Sequence, residues 1–172
     1  MKRLALLRHA KSSSADPGMA DFDRPLNDRG RQAARLIGRE MTRRGMRFDI
    51  VLASPAQRVR ETLDGAATEF GFEREVQFEP RIYEASVASL LDLIRAIPDD
   101  RETALLAGHN PGVHELVLDL ADADEAGLRD RVRGNYPAAA LAVIELPCSR
   151  WAEVRPGGGR IVDLVLPREF SD

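Results

Sequence analysis

Apolar residues in this chain fall in short unbroken runs separated by longer amphipathic stretches. Leu4–Leu7 is the first run, too short for a helix and continuous, as in a strand buried on both faces. Residues 49–53 (DIVLA) and 103–107 (TALLA) repeat the pattern. Between the first two, Ala33, Ala34, Ile37 and Met41 recur at helical spacing, with Asn27 or Asp28 as N-cap and an end near Gly45. Ser54-Pro55 opens a second predicted helix, with Ser54 as cap and proline at the first position; it runs to about Phe70. Val76 and Phe78 alternate with polar residues, as a strand does. Ser86 to Ile97, closed by Pro98, reads as a helix, and Asn110-Pro111 starts another that carries Val113, Leu116, Val117 and Leu120.

The tail is richer in strands. Residues 140–146, 151–155 and 161–166 read as strands, with Gly157-Gly158-Gly159 as a hairpin turn between the last two. No GK[ST] follows the triplet, so it is not a phosphate-binding P-loop. Strands alternating with helices predict one α/β domain over residues 1–172: a mostly parallel sheet flanked by helices, ending in a strand and hairpin region.

Composition narrows the classes of function. At 172 residues and 44% apolar content, the chain suits one globular domain. No apolar stretch approaches the roughly 20 residues that span a bilayer. The run after Arg3 is too short for a secretory leader. A net charge of −3 argues against nucleic-acid and membrane partners. A single cysteine, Cys148, excludes an internal disulfide and fits a reducing cytoplasm; no histidine neighbours it to make a catalytic thiol. Lysine occurs only as Lys2 and Lys11, so arginine abundance carries no weight here and only arginine position does.

Position is informative. Three apolar strands end in polar clusters: Arg8-His9, then Ser54-Pro55 with Arg58 one turn on, then Gly108-His109-Asn110-Pro111. In open parallel sheets, ligands bind at the carboxyl ends of the strands. Neighbouring strands would bring two histidines, two arginines and two helix N-termini to one edge, a set suited to a dianion such as phosphate. The third histidine, His114, lies five residues after His109, about 140° around a helix. It therefore points elsewhere, and the spacing of four that a two-histidine metal site uses is missing.

The segments LLRHAKSS, RPLNDRG, SPAQRVRET, IYEAS and GHNPG resemble the histidine phosphatase superfamily, which is phosphoglycerate mutase-like in fold. More closely, they resemble its small SixA-type phosphohistidine phosphatase branch. The resemblance implies hydrolysis through a covalent phosphohistidine, without metal or other cofactor. It makes His9 the nucleophile, places Arg8, Arg58 and His109 in the phosphate pocket, and sets Glu84 where many members carry the proton donor. Asp21 and Asp23 are rival donors. Lys11, Ser12 and Asn110 line the rim or are solvated loop residues; Arg24 orders the loop through a carboxylate or touches substrate. His109 would serve as an imidazolium or as an N–H donor.

Two departures from the superfamily pattern matter. The usual Arg-His-Gly is Arg8-His9-Ala10, and the asparagine that mutases carry six residues after the nucleophile is Ala15. The chain has no room for the insertions that cover a mutase site, so no long lid is expected. The implied substrate is a protein bearing phosphohistidine. The alternatives are a small phosphate ester or a silent phosphoprotein-binding module.

Overall fold

The computed structural model describes residues 1–14 and 16–169; Ala15 lies outside the described residues. The chain runs β1 (Lys2–Arg8), α1 (Asp28–Arg43), β2 (Ile50–Ala53), α2 (Gln57–Ala67), β3 (Val76–Phe78) and α3 (Val87–Arg95). It continues through β4 (Thr103–Gly108), α4 (Gly112–Leu120), β5 (Ala121–Asp124), α5 (Leu128–Gly134), β6 (Leu141–Leu146) and β7 (Gly159–Val165). The strands form one sheet in the order β3-β2-β4-β1-β6-β7-β5. β6 pairs antiparallel with both its neighbours and every other pairing is parallel, so β6 alone runs against the rest.

Side-chain alternation explains the unbroken apolar runs. Leu4 and Leu6 of β1, Ile50 and Leu52 of β2, and Leu106 of β4 face one core, which α3, α4 and Trp151 cover. Ala5, Leu7, Val51, Ala53, Leu105 and Ala107 face the other, which α1 and α2 cover. A strand buried on both faces needs no polar alternation.

Helix ends follow local chemistry. Asn27 caps α1, its side chain accepting the Gly30 amide, and Ser86 caps α3 through the Ser89 amide. Such caps contribute about 1 kcal/mol each. Gly30 also lets α1 close on the loop after β1, because a β-carbon there would lie 2.0 Å from the Lys11 carbonyl oxygen.

Three expectations are corrected. α2 begins at Gln57, not at Pro55, and its N-cap Ala56 has no side chain to bond; Ser54 accepts the Ala56 amide one turn earlier. Residues 151–155 form no strand: Trp151–Glu153 is a 3-10 turn, anchored by the Trp151 indole N–H donating to the Arg101 carbonyl at 2.6 Å. β5 and α5 were not anticipated. With no strand at 151–155, the expected hairpin into the last strand is absent; Gly157 and Gly158 instead make a left-handed turn, with φ of 81° and 82°, that leads into β7. Among the described residues, no helix is long and apolar enough to cross a membrane.

Candidate active site

Strand register assembles the site. β4 lies between β2 and β1, and Arg8 pairs with Gly108 across β1 and β4. The His9 amide donates to the Gly108 carbonyl at 3.1 Å, and the Ser54 amide to the Ala107 carbonyl at 3.1 Å. The three polar clusters therefore leave the sheet side by side. The His9 and His109 rings stand 5.3 Å apart between centroids, inclined at 58°.

His9 is 8% exposed, and its Nδ1 lies 2.7 Å from the Ala10 carbonyl oxygen. A carbonyl only accepts, so Nδ1 carries the proton and Nε2 keeps its lone pair. Burial, with the cations Arg58, Arg8 and Arg24 nearby, lowers the His9 pKa to about 4, against the opposing pull of the Ala10 carbonyl. His109 is lowered further, to about 3, by burial, His9 and Arg58. Its Nε2 lies 2.8 Å from the Ser54 hydroxyl. With Ser54 donating, the His109 proton sits on Nδ1, which is buried and unpartnered. Burial and the neighbouring charges favour the neutral ring, which in that tautomer presents Nδ1–H to the site.

Four buried polar atoms lack partners among the described residues: Arg8 Nε, Arg58 Nε, His109 Nδ1 and Asn110 Oδ1. All four belong to the polar strand-end clusters. Burying such groups unpaired costs free energy, so their convergence marks a place built for a ligand. The two arginine Nε atoms are donors, and His109 Nδ1 is a third in the tautomer in which Ser54 donates. Tyr136 organises two of the four residues: its carbonyl accepts Arg8 at 3.1 Å and Asn110 at 2.8 Å. Its hydroxyl donates to the Leu6 carbonyl and accepts the Ala142 amide, tying β1 to β6.

The loop after β1 returns over the site. The amides of Ser13 and Asn27 donate to the carbonyls of Pro25 and Lys11, and the 3-10 turn Asp21–Asp23 sits at its tip. Arg58 donates to the Asp21 carbonyl at 2.7 Å and to its carboxylate at 3.1 Å. Tyr83 donates to the same carboxylate at 2.6 Å, and Arg24 to its other oxygen at 2.9 Å. The Tyr83 bond, with Arg24 and Arg58, holds the Asp21 pKa at about 2, and that bond pushes Tyr83 up to about 12. Asp21 is therefore a fixed carboxylate in this arrangement. Arg24 orders the loop, since it also donates to Ser12 Oγ and the Ser13 carbonyl, each at 2.8 Å. The loop is a short cover, in keeping with the expectation of no long lid.

Glu84 is exposed and left-handed, with φ of 57°. It lines a cleft of about 330 Å³ with Arg58, Tyr83, His109 and Asn110. A non-glycine residue in that region is strained by roughly 1–3 kcal/mol, a cost usually met at functional sites. Asp23 is exposed, and its side chain makes no hydrogen bond or ion pair among the described residues. Lys11 is exposed too. His114 points away, with Nε2 2.6 Å from the Val132 carbonyl and its ring stacked on Tyr136. Cys148 packs against the first core, and burial with Glu153 nearby raises its thiol pKa, so it is no thiolate.

Residues 4–134 match the family model described as histidine phosphatase superfamily (branch 1). The chain belongs to this superfamily. An uncharacterized protein of Mycobacterium tuberculosis (strain H37Rv) is 33% identical over 164 residues, covering 94% of this chain and all of that one. Among solved structures, a provisionally assigned phosphohistidine phosphatase SixA from Agrobacterium tumefaciens is 30% identical, with TM-score 0.81, over 96% of this chain and 98% of that one. A protein with the same provisional assignment from Nakamurella multipartitia is 29% identical, with TM-score 0.83, over 96% of both chains.

The buried neutral imidazoles give a pH expectation for this superfamily member. Unfolded histidine takes up a proton near pH 6.5, whereas folded His9 and His109 do so near 4 and 3. Between those values the unfolded chain binds more protons, so stability falls as pH drops from about 7 towards 4. Ring signals of both residues in an NMR titration should stay in the neutral form down to about pH 5. Protonation of either near 6.5 would show that the pocket does not exclude water.

Proposed function

We propose that the protein hydrolyses phosphohistidine on a protein substrate through a phosphorylated His9, in the cytoplasm and without metal or cofactor. The observation that carries this is the set of buried, unpartnered groups of Arg8, Arg58 and His109 beside a histidine whose Nε2 is free. Nε2 attacks phosphorus in line with the leaving nitrogen. The guanidiniums of Arg8 and Arg58 and the His109 N–H take up the charge on the equatorial oxygens. Glu84 protonates the departing imidazole, then draws the proton from the water that hydrolyses phospho-His9.

The walls around the phosphate groups support a protein substrate. Beyond Arg58, Glu84, His109 and Asn110, the cleft is lined by Tyr83, Ala85, Ser86, Pro111 and Gly112, of which only Tyr83 and Ser86 carry a hydroxyl. Met19 and Phe22 are exposed on the covering loop, and Phe22 packs edge-on against Tyr83 at 5.1 Å. Such an apolar rim suits the surface of a partner around a projecting side chain. The relatives assigned as SixA point the same way.

The test is turnover on a phosphohistidine-bearing protein and a panel of small phosphate esters, before and after exhaustive chelation. kcat/KM should be highest for the phosphoprotein and unchanged by EDTA. A preference for one small ester would reassign the substrate. Activity lost to EDTA and restored by a divalent cation would overturn the chemistry.

A further inference from the structure

We infer that Thr62 is a positioning residue that fixes the nucleophile His9 from across the sheet edge. The inference rests on the proposed role of His9.

Helix α2 sends three side chains from one face towards the loops above it. Arg58 reaches the phosphate groups. Glu61, one turn on, accepts the Leu26 amide at 3.2 Å and so holds the returning arm of the covering loop. Thr62 follows, and it has no exposed surface. Its hydroxyl accepts the Ala10 amide at 2.9 Å and donates to the Arg58 carbonyl at 2.7 Å. Both capacities of the hydroxyl are therefore used, and it joins the backbone of the residue after the nucleophile to the backbone of the arginine.

Ala10 is the hinge of the argument. Its amide is held by Thr62, and its carbonyl holds His9 Nδ1. The next carbonyl, of Lys11, accepts the Asn27 amide at 3.0 Å. Ala10 is fully buried and has the narrower backbone choice of a residue with a β-carbon. With its amide, its carbonyl and the following peptide all fixed, the His9 ring has one orientation and one tautomer. Without the hydroxyl, the buried Ala10 amide has no acceptor and the backbone turns to find one. The carbonyl then moves off Nδ1, and the proton no longer distinguishes the two ring nitrogens.

The experiment reads the ring directly. In ¹⁵N NMR of the wild-type protein at neutral pH, His9 should show its proton on Nδ1. Thr62→Val, close to isosteric, should give a mixture of tautomers, with kcat about 10- to 100-fold lower and KM little changed, the scale seen when a group that orients a functional histidine is removed. Thr62→Ser keeps both hydrogen bonds and should restore the ring signals and kcat together. Thr62→Val with wild-type ring signals overturns the inference, and so does altered tautomerism with unchanged kcat. If Thr62→Val does not fold, the wild-type spectrum still decides, because a His9 proton on Nε2 is incompatible with it. The ring measurement needs no substrate. A chain that hydrolyses no phosphorylated compound, yet shows the tautomer shift, would refute the proposed function while leaving the positioning contact standing.

Discussion

His9→Ala is expected to abolish turnover, by at least about 10⁴-fold, the scale on which enzymes lose rate when a nucleophile is removed. Alanine offers no lone pair, so the two-step path is closed rather than slowed. The same variant should remove the intermediate. Quenching the wild-type protein without acid, after mixing with labelled substrate, should leave phosphate on His9, labile to acid and stable to base. No label should remain on His9→Ala. The variant should still fold, because alanine in place of a buried imidazole leaves the strand pairing around the Gly108 carbonyl intact. A thermal melt beside the assay checks that. Full activity in the variant would end the covalent mechanism.

Arg58→Ala should lower kcat/KM by about 10²- to 10³-fold, as removal of one preorganised donor does elsewhere. Arg58 is 6% exposed, so its charge acts where water screens little. Arg58→Lys separates charge from shape. Lysine keeps the positive charge but lacks the planar fork that meets two oxygens at once, and should stay at least about tenfold below wild type. Equal rates for Arg58→Lys and wild type would show that only net charge matters at this position.

The site was legible because the sheet is. Leu4–Leu7, 50–53 and 104–107 are apolar throughout since both faces are covered, and that places Arg8, His9, Ser54 and His109 at the strand ends. Other elements carried no such signal. β5 has the sequence ADAD and earns its place as an edge strand beside β7, a long-range pairing that no local pattern encodes. α5 buries one side chain, Val132, too few for a helical period. Trp151 suggested a strand because it is large and apolar, but its burial is satisfied within a single turn. Thr62 and Tyr136 were missed for a related reason. Each serves the site through a contact far away in the chain: the Thr62 hydroxyl accepts the Ala10 amide 52 positions off, and the Tyr136 carbonyl accepts the Arg8 guanidinium 128 positions off. Asp21 was named only as a rival acid, since nothing in the sequence places it on Arg58.

That contact between Asp21 and Arg58 bears on the economy of the whole catalytic cycle. An arriving phosphoryl group meets a guanidinium whose Nε is open but whose terminal nitrogens already hold Asp21, so it shares the cation with a carboxylate that the chain itself supplies. Its binding free energy is smaller than that of a dianion on an unshared guanidinium. A dianion gains more from what charge remains than a singly charged competitor. After hydrolysis the same carboxylate stands tethered next to Arg58, at a local concentration that free phosphate in solution cannot match. The protein would thus hold its substrate loosely and clear its product quickly, which favours rapid traffic of phosphoryl groups over storage of a stable complex.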